Sequence, residues 1–291
     1  MSRLKTTGTR VVAVYAVLVL CLGAHAETSP PRYHVIAFYT GKDETAHISF
    51  VDEAKRWFAR MAAERGFSFE STTNWDSLNS EFLARYQVVL FLDTRPDAPA
   101  QRKAFKEYME NGGGRMGFHF AGFALTPSKY PQDWDWYHNQ FLGSGSYAGN
   151  TWKPTSAILK VEDLRHPVSR ALLGTFKASP SEWYKWSCDL RTNQNIKILA
   201  SIDPASFPLG TGPKQHEIWH RGYYPVVWTN QRYRMVYFNM GHNDMDFDAK
   251  PNKELSFTFG NEMQDKLILN ALEWLGAGEK QRRSANNSSR N

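Results

Sequence analysis

The chain has 291 residues, of which 42% are hydrophobic, and its formal net charge is +6 at pH 7. The first 26 residues and the residues after Gly278 carry a net charge of +3 each, so the body between them is close to neutral. A neutral body argues against nucleic-acid binding. Its length of about 250 residues is sufficient to bury a hydrophobic core.

Residues 1–26 have the pattern of a secretory signal. Basic residues at positions 3–10 precede an apolar stretch at 11–23, and Ala24-His25-Ala26 is a small-x-small cleavage pattern. The apolar stretch is short for a membrane span; an uncleaved membrane anchor is the alternative. We expect a mature chain that starts near Glu27, is secreted or periplasmic, and has no membrane association after cleavage.

We expect one domain over residues 27–278, because no repeat and no linker-like break divides this part of the chain. The tail 279–291 is rich in Ser, Asn and Arg, a composition typical of disorder. Of the two cysteines, Cys21 lies in the predicted signal, so Cys188 has no intrachain partner in the mature protein. The stability of the domain must then come from packing.

Apolar runs rich in β-forming residues alternate with segments of helical periodicity in the first half of the body. The predicted strands are 33–39, 67–72, 87–92 and 115–118, and the predicted helices are 49–65, 80–85 and 100–110. Strands that are nearly continuous in apolar residues are typical of a parallel sheet with helices on both faces. The sequence therefore predicts an α/β fold.

The second half of the body is less regular. Residues 122–150 predict a long, ordered excursion over the surface, because they are rich in aromatic residues and glycine without a clear period. Further on, 157–161 is a candidate strand, 226–228 and 234–238 form a candidate hairpin, and 257–275 is a candidate helix.

The block from Asn111 to Gly122 is the most informative motif. Three glycines end the preceding helix, a short strand follows, and His119 then stands among small residues. Small residues allow a sharp strand-to-helix turn, which lifts one side chain above the carboxyl edge of a parallel sheet. In better-known turns of this kind that side chain is a thiol or hydroxyl nucleophile, whereas here it is an imidazole.

Four residues are candidates for chemistry because each is predicted to follow a strand or its turn: His47, His119, Glu182 and His242. Ligands of open α/β sheets gather beyond the carboxyl ends of the strands. Three imidazoles and a carboxylate that converge there could bind a divalent metal or share proton transfers. Taken singly, a histidine at such a position is more often a hydrogen-bonded structural residue than a catalytic or metal-binding one.

Other candidates have simpler readings. His166 precedes Pro167 in a predicted turn, which favours a structural role, and the group His216, Glu217 and His220 is predicted to lie in a loop. Four tryptophans could form a platform for sugar rings or could simply pack the long excursion onto the domain. They are Trp134, Trp136, Trp183 and Trp186.

The order and spacing of these motifs resemble the ThuA-like (trehalose utilisation) family, a branch of the class I glutamine amidotransferase-like superfamily. The matching segments run from about Tyr33 to Leu275. They are the turn around His47, the 112–119 block, His166-Pro167, Glu182-x-Tyr184, Pro225 to Trp228 and Gly241-His242. The resemblance implies a flavodoxin-like three-layer α/β/α sandwich with a mostly parallel central sheet and long loop insertions. It also implies a role in the metabolism of a disaccharide or keto-sugar.

The chain departs from the superfamily at the turn. Class I amidotransferases carry a cysteine there, and the imidazole of His119 cannot form the thioester that glutamine hydrolysis needs. Cys188 has no such turn around it. We therefore expect no glutaminase activity. The family often carries another histidine after Gly143, and near that place this chain has Asn150.

Two functions from different classes remain open. The first is an exported enzyme, a hydrolase or isomerase of a small-molecule carbohydrate, with His119, Glu182 and His242 as catalytic residues. The substrate would then contact His47, Tyr184, Trp183 and Trp136. No cofactor is required, although His47, His119 and His242 could hold a divalent metal. The second is a non-catalytic carbohydrate-binding or accessory domain, and a structural domain with a decayed site is a third reading. The substrate and the oligomeric state are left open by the sequence.

Overall fold

The computed structural model describes residues 30–42, 44–123, 134–151, 153–206, 222–244 and 254–277. In chain order the strands are β1 His34–Phe38, β2 Ser68–Thr72, β3 Val88–Phe91, β4 Gly114–Phe118, β5 Tyr147–Asn150, β6 Ile158–Val161, β7 Thr175–Lys177, β8 Tyr184–Trp186, β9 Ile196–Ile202, β10 Tyr224–Asn230 and β11 Arg234–Phe238. The α-helices are α1 Thr45–Arg65, α2 Ser80–Leu83, α3 Pro99–Glu110 and α4 Glu262–Gly276. Within these described ranges, no helix has the length and apolar character that a membrane crossing requires.

A nine-stranded sheet forms the middle layer, in the order β2-β1-β3-β4-β11-β10-β9-β6-β7. The first five of these strands pair in parallel, and the remaining four are added by antiparallel pairing. β5 and β8 form a separate antiparallel pair. Because β1, β4 and β11 run in the same direction, the segments that follow them meet at one edge of the sheet.

Helices cover both faces of the sheet, which gives the three-layer α/β/α architecture that the resemblance implies. One core joins the sheet to α1 and α4 through residues such as Phe58 and Leu272. The opposite core joins it to α3 and to an aromatic group that includes Phe105 and Phe141. The flavodoxin-like fold is confirmed, with the antiparallel strands as an extension beyond the parallel half.

The sequence prediction for α1 is correct in its apolar stripe and its end but wrong in its start. The buried residues recur at helical spacing through Phe50, Trp57, Phe58 and Met61, and Gly66 ends the helix with φ of +69°. The helix begins at Thr45, four residues before the predicted start. No hydrophobic period indicates this first turn, because its side chains face the site described below rather than the core.

The last helix starts later than its sequence indicates. α4 begins at Glu262, where the side chain of Asn261 caps it by accepting a hydrogen bond from the Gln264 amide. The residues before it are held by a carboxylate of α1: Glu53 accepts hydrogen bonds from the amides of Thr258 (2.9 Å) and Phe259 (3.1 Å). These tertiary bonds compete with continuation of the helix, and the periodic sequence alone does not reveal them.

The expectation of a surface excursion over residues 122–150 is wrong for its second part. Residues Trp136–Phe141 form a π-helical turn whose Tyr137 and Phe141 are fully buried against the sheet. Trp228 and Asn230 of β10 donate hydrogen bonds to the carbonyls of Leu142 and Phe141 at 2.8 and 2.9 Å. A π turn follows neither the helical nor the strand period, so this core segment has no periodic sequence signal.

A close approach of two elements generates a test of this architecture. A methyl group at Gly114 in β4 would lie 2.9 Å from the Gln87 carbonyl oxygen and 3.1 Å from that of Leu275 in α4. Both are main-chain atoms, so the strand or the end of the helix must shift. We expect Gly114→Ala to lower the free energy of unfolding by about 1–3 kcal/mol in urea titrations.

Gly174→Ala is the matched control, because no atom of the described residues lies within 4 Å of a methyl group at that position. Its effect should stay within about 0.5 kcal/mol. Equal losses of stability in the two variants would contradict the close approach of α4 to β4.

Candidate functional site

His119 stands on a sharp turn directly after β4. Its φ is +34°, and residues His119–Gly122 form a 3₁₀ turn. Two tyrosine hydroxyls hold the turn from below: Tyr237 donates to the His119 carbonyl (2.7 Å) and Tyr137 donates to the Ala121 carbonyl (2.9 Å). A positive φ at a non-glycine residue is uncommon and is retained where surrounding contacts fix it. The sharp turn predicted from the small residues is confirmed.

A buried arginine supports these tyrosines. Arg115 of β4 is fully buried and donates a hydrogen bond from Nη2 to the Tyr137 hydroxyl. Its guanidinium lies 5.4–5.7 Å from the ring centroids of Phe91, Tyr137 and Phe141. A side chain at Gly117 would overlap the guanidinium. The glycine in the Arg-Met-Gly-Phe-His run therefore makes room for the group that fixes the turn.

His47 reaches the same place from the first turn of α1. The loop between β1 and α1 is fixed by the buried Asp93, which accepts hydrogen bonds from the Thr40 amide (2.8 Å), the Thr40 hydroxyl (2.7 Å) and the Gly41 amide (2.8 Å). Burial raises the pKa of the Asp93 carboxyl, and these hydrogen bonds act against that rise. The loop delivers the start of α1 to the carboxyl edge of the sheet.

A main-chain hydrogen bond joins His242 and Glu182. His242 follows β11 by four residues, and its carbonyl accepts a hydrogen bond from the Glu182 amide at 2.9 Å. Asn239 then bonds both main-chain groups of Tyr184: its Oδ1 accepts from the amide (3.2 Å) and its Nδ2 donates to the carbonyl (3.0 Å). These bonds place Glu182 in front of β8, whereas the sequence predicted that it follows a strand.

The structure brings the four candidate residues together. The ring centroids of the three histidines lie 4.9–5.6 Å apart, and one nitrogen from each ring lies within 4.8 Å of the others. Oε2 of Glu182 lies 3.4 Å from Nε2 of His119 and 3.3 Å from Nδ1 of His242. All four residues are at most 7% exposed. The chemical roles assigned to them from the sequence remain predictions.

Two further polar residues belong to this cluster. Glu44 places Oε1 at 3.3 Å from Nε2 of His242 and Oε2 at 3.8 Å from Nδ1 of His47, and its side chain is half exposed at the rim. Asn150 donates a hydrogen bond to Oε1 of Glu182. Sequence reasoning missed Glu44 because the predicted helix started after it. Asn150 had been noted only as the residue near the place of a family histidine.

The environment moves the pKa values of these groups in opposite directions. Burial lowers the pKa of His47 to about 3, assisted by His242 and His119, and burial also lowers the pKa of His119. For His242 burial acts in the same sense, but Glu182 and Glu44 outweigh it and raise the pKa to about 9. Burial would raise the pKa of Glu182, yet the contacts with His119 and His242 lower it to about 2. At neutral pH one proton is therefore held on His242 between two carboxylates.

Aromatic rings line the cluster; Tyr184 is among those expected, and the others are not. The ring of Tyr184 lies 4.0 Å from that of His119, and the ring of Phe120 lies 4.7 Å from that of His47. Phe123 stacks on Phe120 at 4.8 Å and lies 4.9 Å from Tyr147. Phe120, Phe123 and Tyr147 are half-buried, so they form a partly open aromatic surface beside the histidines.

The tryptophans expected to contact substrate serve the core instead. Trp183 is fully buried and donates a hydrogen bond from Nε1 to the Thr155 carbonyl at 2.6 Å. Trp136 is buried against Phe141 and Tyr233 on the opposite face of the sheet from α1. For these two indoles burial favours the packing alternative, whereas Trp134 and Trp186 are half-buried. Both buried indoles are large apolar groups, and they pack between the sheet and its insertions.

The remaining candidates lie apart from the cluster. His166 accepts a hydrogen bond from the Val168 amide (3.2 Å) and packs on Trp274, which agrees with a structural role. His216, Glu217 and His220 lie outside the described residues. Cys188 is a free, exposed cysteine after β8. A cavity of about 280 Å³ beside Cys188 shares only Tyr184 with the cluster among the residues that the structure describes.

A parallel α/β sheet with its polar cluster on the turns after β4 and β11 defines a flavodoxin-like domain with a site at the carboxyl edge of the strands. The chain belongs to the ThuA family: the family model described as trehalose utilisation matches residues 35–275. Membership suggests a role related to trehalose utilisation. It is also consistent with the glutamine amidotransferase-like superfamily.

Solved structures agree with the family. A ThuA-like protein from Bacteroides uniformis is 34% identical, with a TM-score of 0.72 over 84% of this chain and 92% of that one. A ThuA-like protein from Parabacteroides merdae is 17% identical and shows the same fold, with a TM-score of 0.59 over 86% of this chain and 91% of that one. A search of curated proteins found no match.

The proton on His242 generates a test of the electrostatics in metal-free protein. Because the pKa is raised from 6.5 to about 9 on folding, the ionised contact stabilises the fold fully below pH 6.5. That contribution is lost as the pH rises through about 9. We expect the difference in unfolding free energy between wild type and His242→Gln to shrink by roughly 2–3 kcal/mol between pH 6 and pH 10. Urea titrations with a chelator present measure it.

The same difference should stay constant over this pH range for Asn261→Ala, because the amide that caps α4 has no ionisable group. A difference for His242→Gln that does not change with pH would mean that His242 is not held as a cation between Glu182 and Glu44.

Proposed function

We propose that the protein is an exported enzyme that acts on a disaccharide or keto-sugar derivative by proton transfer to and from His119 and His242, which Glu182 orients. The observation that carries the proposal is the Glu182 carboxylate, which is buried and contacts both imidazoles at the carboxyl edge of the sheet. Family membership supports a carbohydrate as the substrate class.

The opposed pKa shifts suggest how the two histidines divide the chemistry. Neighbouring groups whose pKa values are pushed apart are the usual acid and base of a site. In an unoxidised disaccharide, the His242 imidazolium is suited to donate a proton to the glycosidic oxygen as its bond to carbon breaks, while neutral His119 accepts one from the water that attacks that carbon.

In a keto-sugar, neutral His119 is suited to accept a proton from a hydroxyl-bearing carbon next to the carbonyl group, and the His242 imidazolium is suited to donate one to the carbonyl oxygen. The two transfers to and from a keto-sugar give an enediol. If His119 then returns its proton to the former carbonyl carbon, and His242 takes one from the other enediol hydroxyl, the product is an isomer of the substrate. Glu182 stays ionised and holds both rings.

The aromatic surface supports a sugar as the ligand. Phe120, Phe123 and Tyr147 offer partly exposed ring faces next to His47, and the apolar face of a pyranose packs well on such rings. Glu44 at the rim offers carboxylate oxygens that accept hydrogen bonds from sugar hydroxyls. The same surface is what the alternative function, a non-catalytic carbohydrate-binding domain, would use.

Two substitutions distinguish the enzyme from the binding domain. In Glu182→Gln the carboxylate that orients both imidazoles is lost while its volume is kept, and in His119→Ala the proposed base is removed. We expect turnover of trehalose, another disaccharide or a 3-keto derivative of one, followed by NMR, to fall by at least about 100-fold in each. Binding of the same sugar, measured by calorimetry, should change much less.

Glu107→Gln is the matched control for the carboxylate change, since Glu107 lies on the exposed face of α3 and pairs with Lys103. It should leave turnover unchanged. Sugar binding without turnover of any of these compounds by the wild-type protein would favour the binding domain and reject the enzyme.

Export is tested separately. If residues 1–26 are a cleaved signal, protein expressed in a bacterium with an outer membrane should appear in the periplasm or medium with Glu27 as its first residue. Ala26→Asp should block cleavage and keep the longer chain in the membrane fraction. Mature protein that retains Met1 in the cytoplasmic fraction would contradict export.

A further inference from the structure

Five imidazole nitrogens of the site are buried and have no hydrogen-bond partner among the residues that the structure describes. These are Nε2 of His47 and both ring nitrogens of His119 and of His242. The carboxylate oxygens of Glu182 and Glu44 lie close enough to attract a charge on the rings, at 3.3–3.4 Å, but they are not aligned for hydrogen bonds. Buried polar atoms in native proteins nearly always have a partner, so this group of nitrogens indicates a ligand.

The type and arrangement of these donors indicate which ligand. Three imidazole nitrogens within 4.8 Å of one another are the ligand set of many zinc sites, in which a fourth position stays open for water or substrate. Imidazole also suits Ni²⁺, Co²⁺ and Cu²⁺, whereas Mg²⁺ and Ca²⁺ prefer oxygen ligands. The three histidines come from α1 and from the turns after β4 and β11, so their positions are fixed by three different elements.

The surrounding carboxylates provide what a cation needs beyond its direct ligands. Histidines that bind a metal commonly have their rings oriented by a carboxylate, and Glu182 contacts two of the three rings while Glu44 approaches His47 and His242. A divalent ion that binds here displaces the proton from His242, and two negative charges then lie beside three neutral rings. Metal–nitrogen bonds of about 2.0–2.1 Å require the rings to close in from their present spacing.

His138 shows that unpartnered imidazole nitrogens alone are insufficient. Both of its ring nitrogens are also buried without partners. However, its charged neighbours are Arg95, Arg102 and Arg115, which repel a metal ion and, after burial, help to lower its pKa to about 2. The difference between the two places is the sign of the surrounding charge.

We propose that His47, His119 and His242 bind one divalent transition-metal ion, with Zn²⁺ as the reference ion, and that Glu182 and Glu44 orient the ligand rings. The role of the ion rests on the proposed function, because an ion at this place would face the bound sugar. The binding itself is measured without any substrate.

The experiment uses untagged protein treated with a chelator and then freed of it. We expect calorimetry with Zn²⁺ to show one site per chain, and Co²⁺ to give visible absorption bands of nitrogen ligation. His47→Gln and His242→Gln should each weaken Zn²⁺ binding by at least about 10-fold, as loss of a ligand does. His34→Gln removes an imidazole at the opposite edge of the sheet, so this variant should bind Zn²⁺ as the wild type does.

Each outcome decides the proposal. Absence of stoichiometric Zn²⁺ and Co²⁺ binding by the wild type overturns it, as does binding that both variants retain, since the ion would then lie elsewhere. The cobalt spectrum of the wild type decides the question even if a variant fails to fold, which circular dichroism detects. Metal binding without sugar turnover supports this inference and rejects the proposed enzyme. Sugar turnover by protein that binds no metal supports the enzyme and rejects this inference.

Discussion

The site depends on the turn at His119. This turn directly follows the parallel strand β4, and φ of His119 is +34°. Such a backbone is retained only if its carbonyls are held, and the Tyr237 and Tyr137 hydroxyls hold those of His119 and Ala121. Arg115 in turn fixes Tyr137 from inside the core. The buried polar support therefore lies directly beneath the chemically important side chain, and the height of His119 above the sheet is set by residues that no ligand touches.

The remaining members of the cluster are brought to this turn by hydrogen bonds between loops. Asp93 fixes the loop before α1 and so places His47, while Asn239 fixes Tyr184 and so places Glu182 beside His242. Once together, the groups influence one another: two carboxylates keep a positive charge on His242, and burial keeps His47 and His119 neutral. The proposed proton transfer and the proposed metal binding would both use this negative charge beside imidazoles that have no hydrogen-bond partner among the described residues.

How far the sequence predicted this structure varied with the kind of signal. The strands and helices of the parallel half were predictable within a few residues, because burial on both faces makes their strands continuous in apolar residues. His47, His119, Glu182 and His242 were identified because the carboxyl ends of parallel strands share one edge of the sheet. Glu44 was missed, since the first turn of α1 faces the site and has no apolar period. Trp136 and Trp183 were expected to contact the substrate, because the sequence does not distinguish a tryptophan in a core from one at a sugar-binding site.

The sequence by itself determined the family, the parallel core and the replacement of a cysteine by His119 at the turn, since these depend on residue identity and local periodicity. Tertiary structure decided which rings are open, with Phe120, Phe123 and Tyr147 beside the site and Trp136 and Trp183 packed inside. It also decided the distances of 3.3–3.4 Å between Glu182 and two histidines that lie 63 and 60 residues away in the chain. Contacts of that kind are set by the packing of separate elements, which leaves no mark in any local pattern of residues.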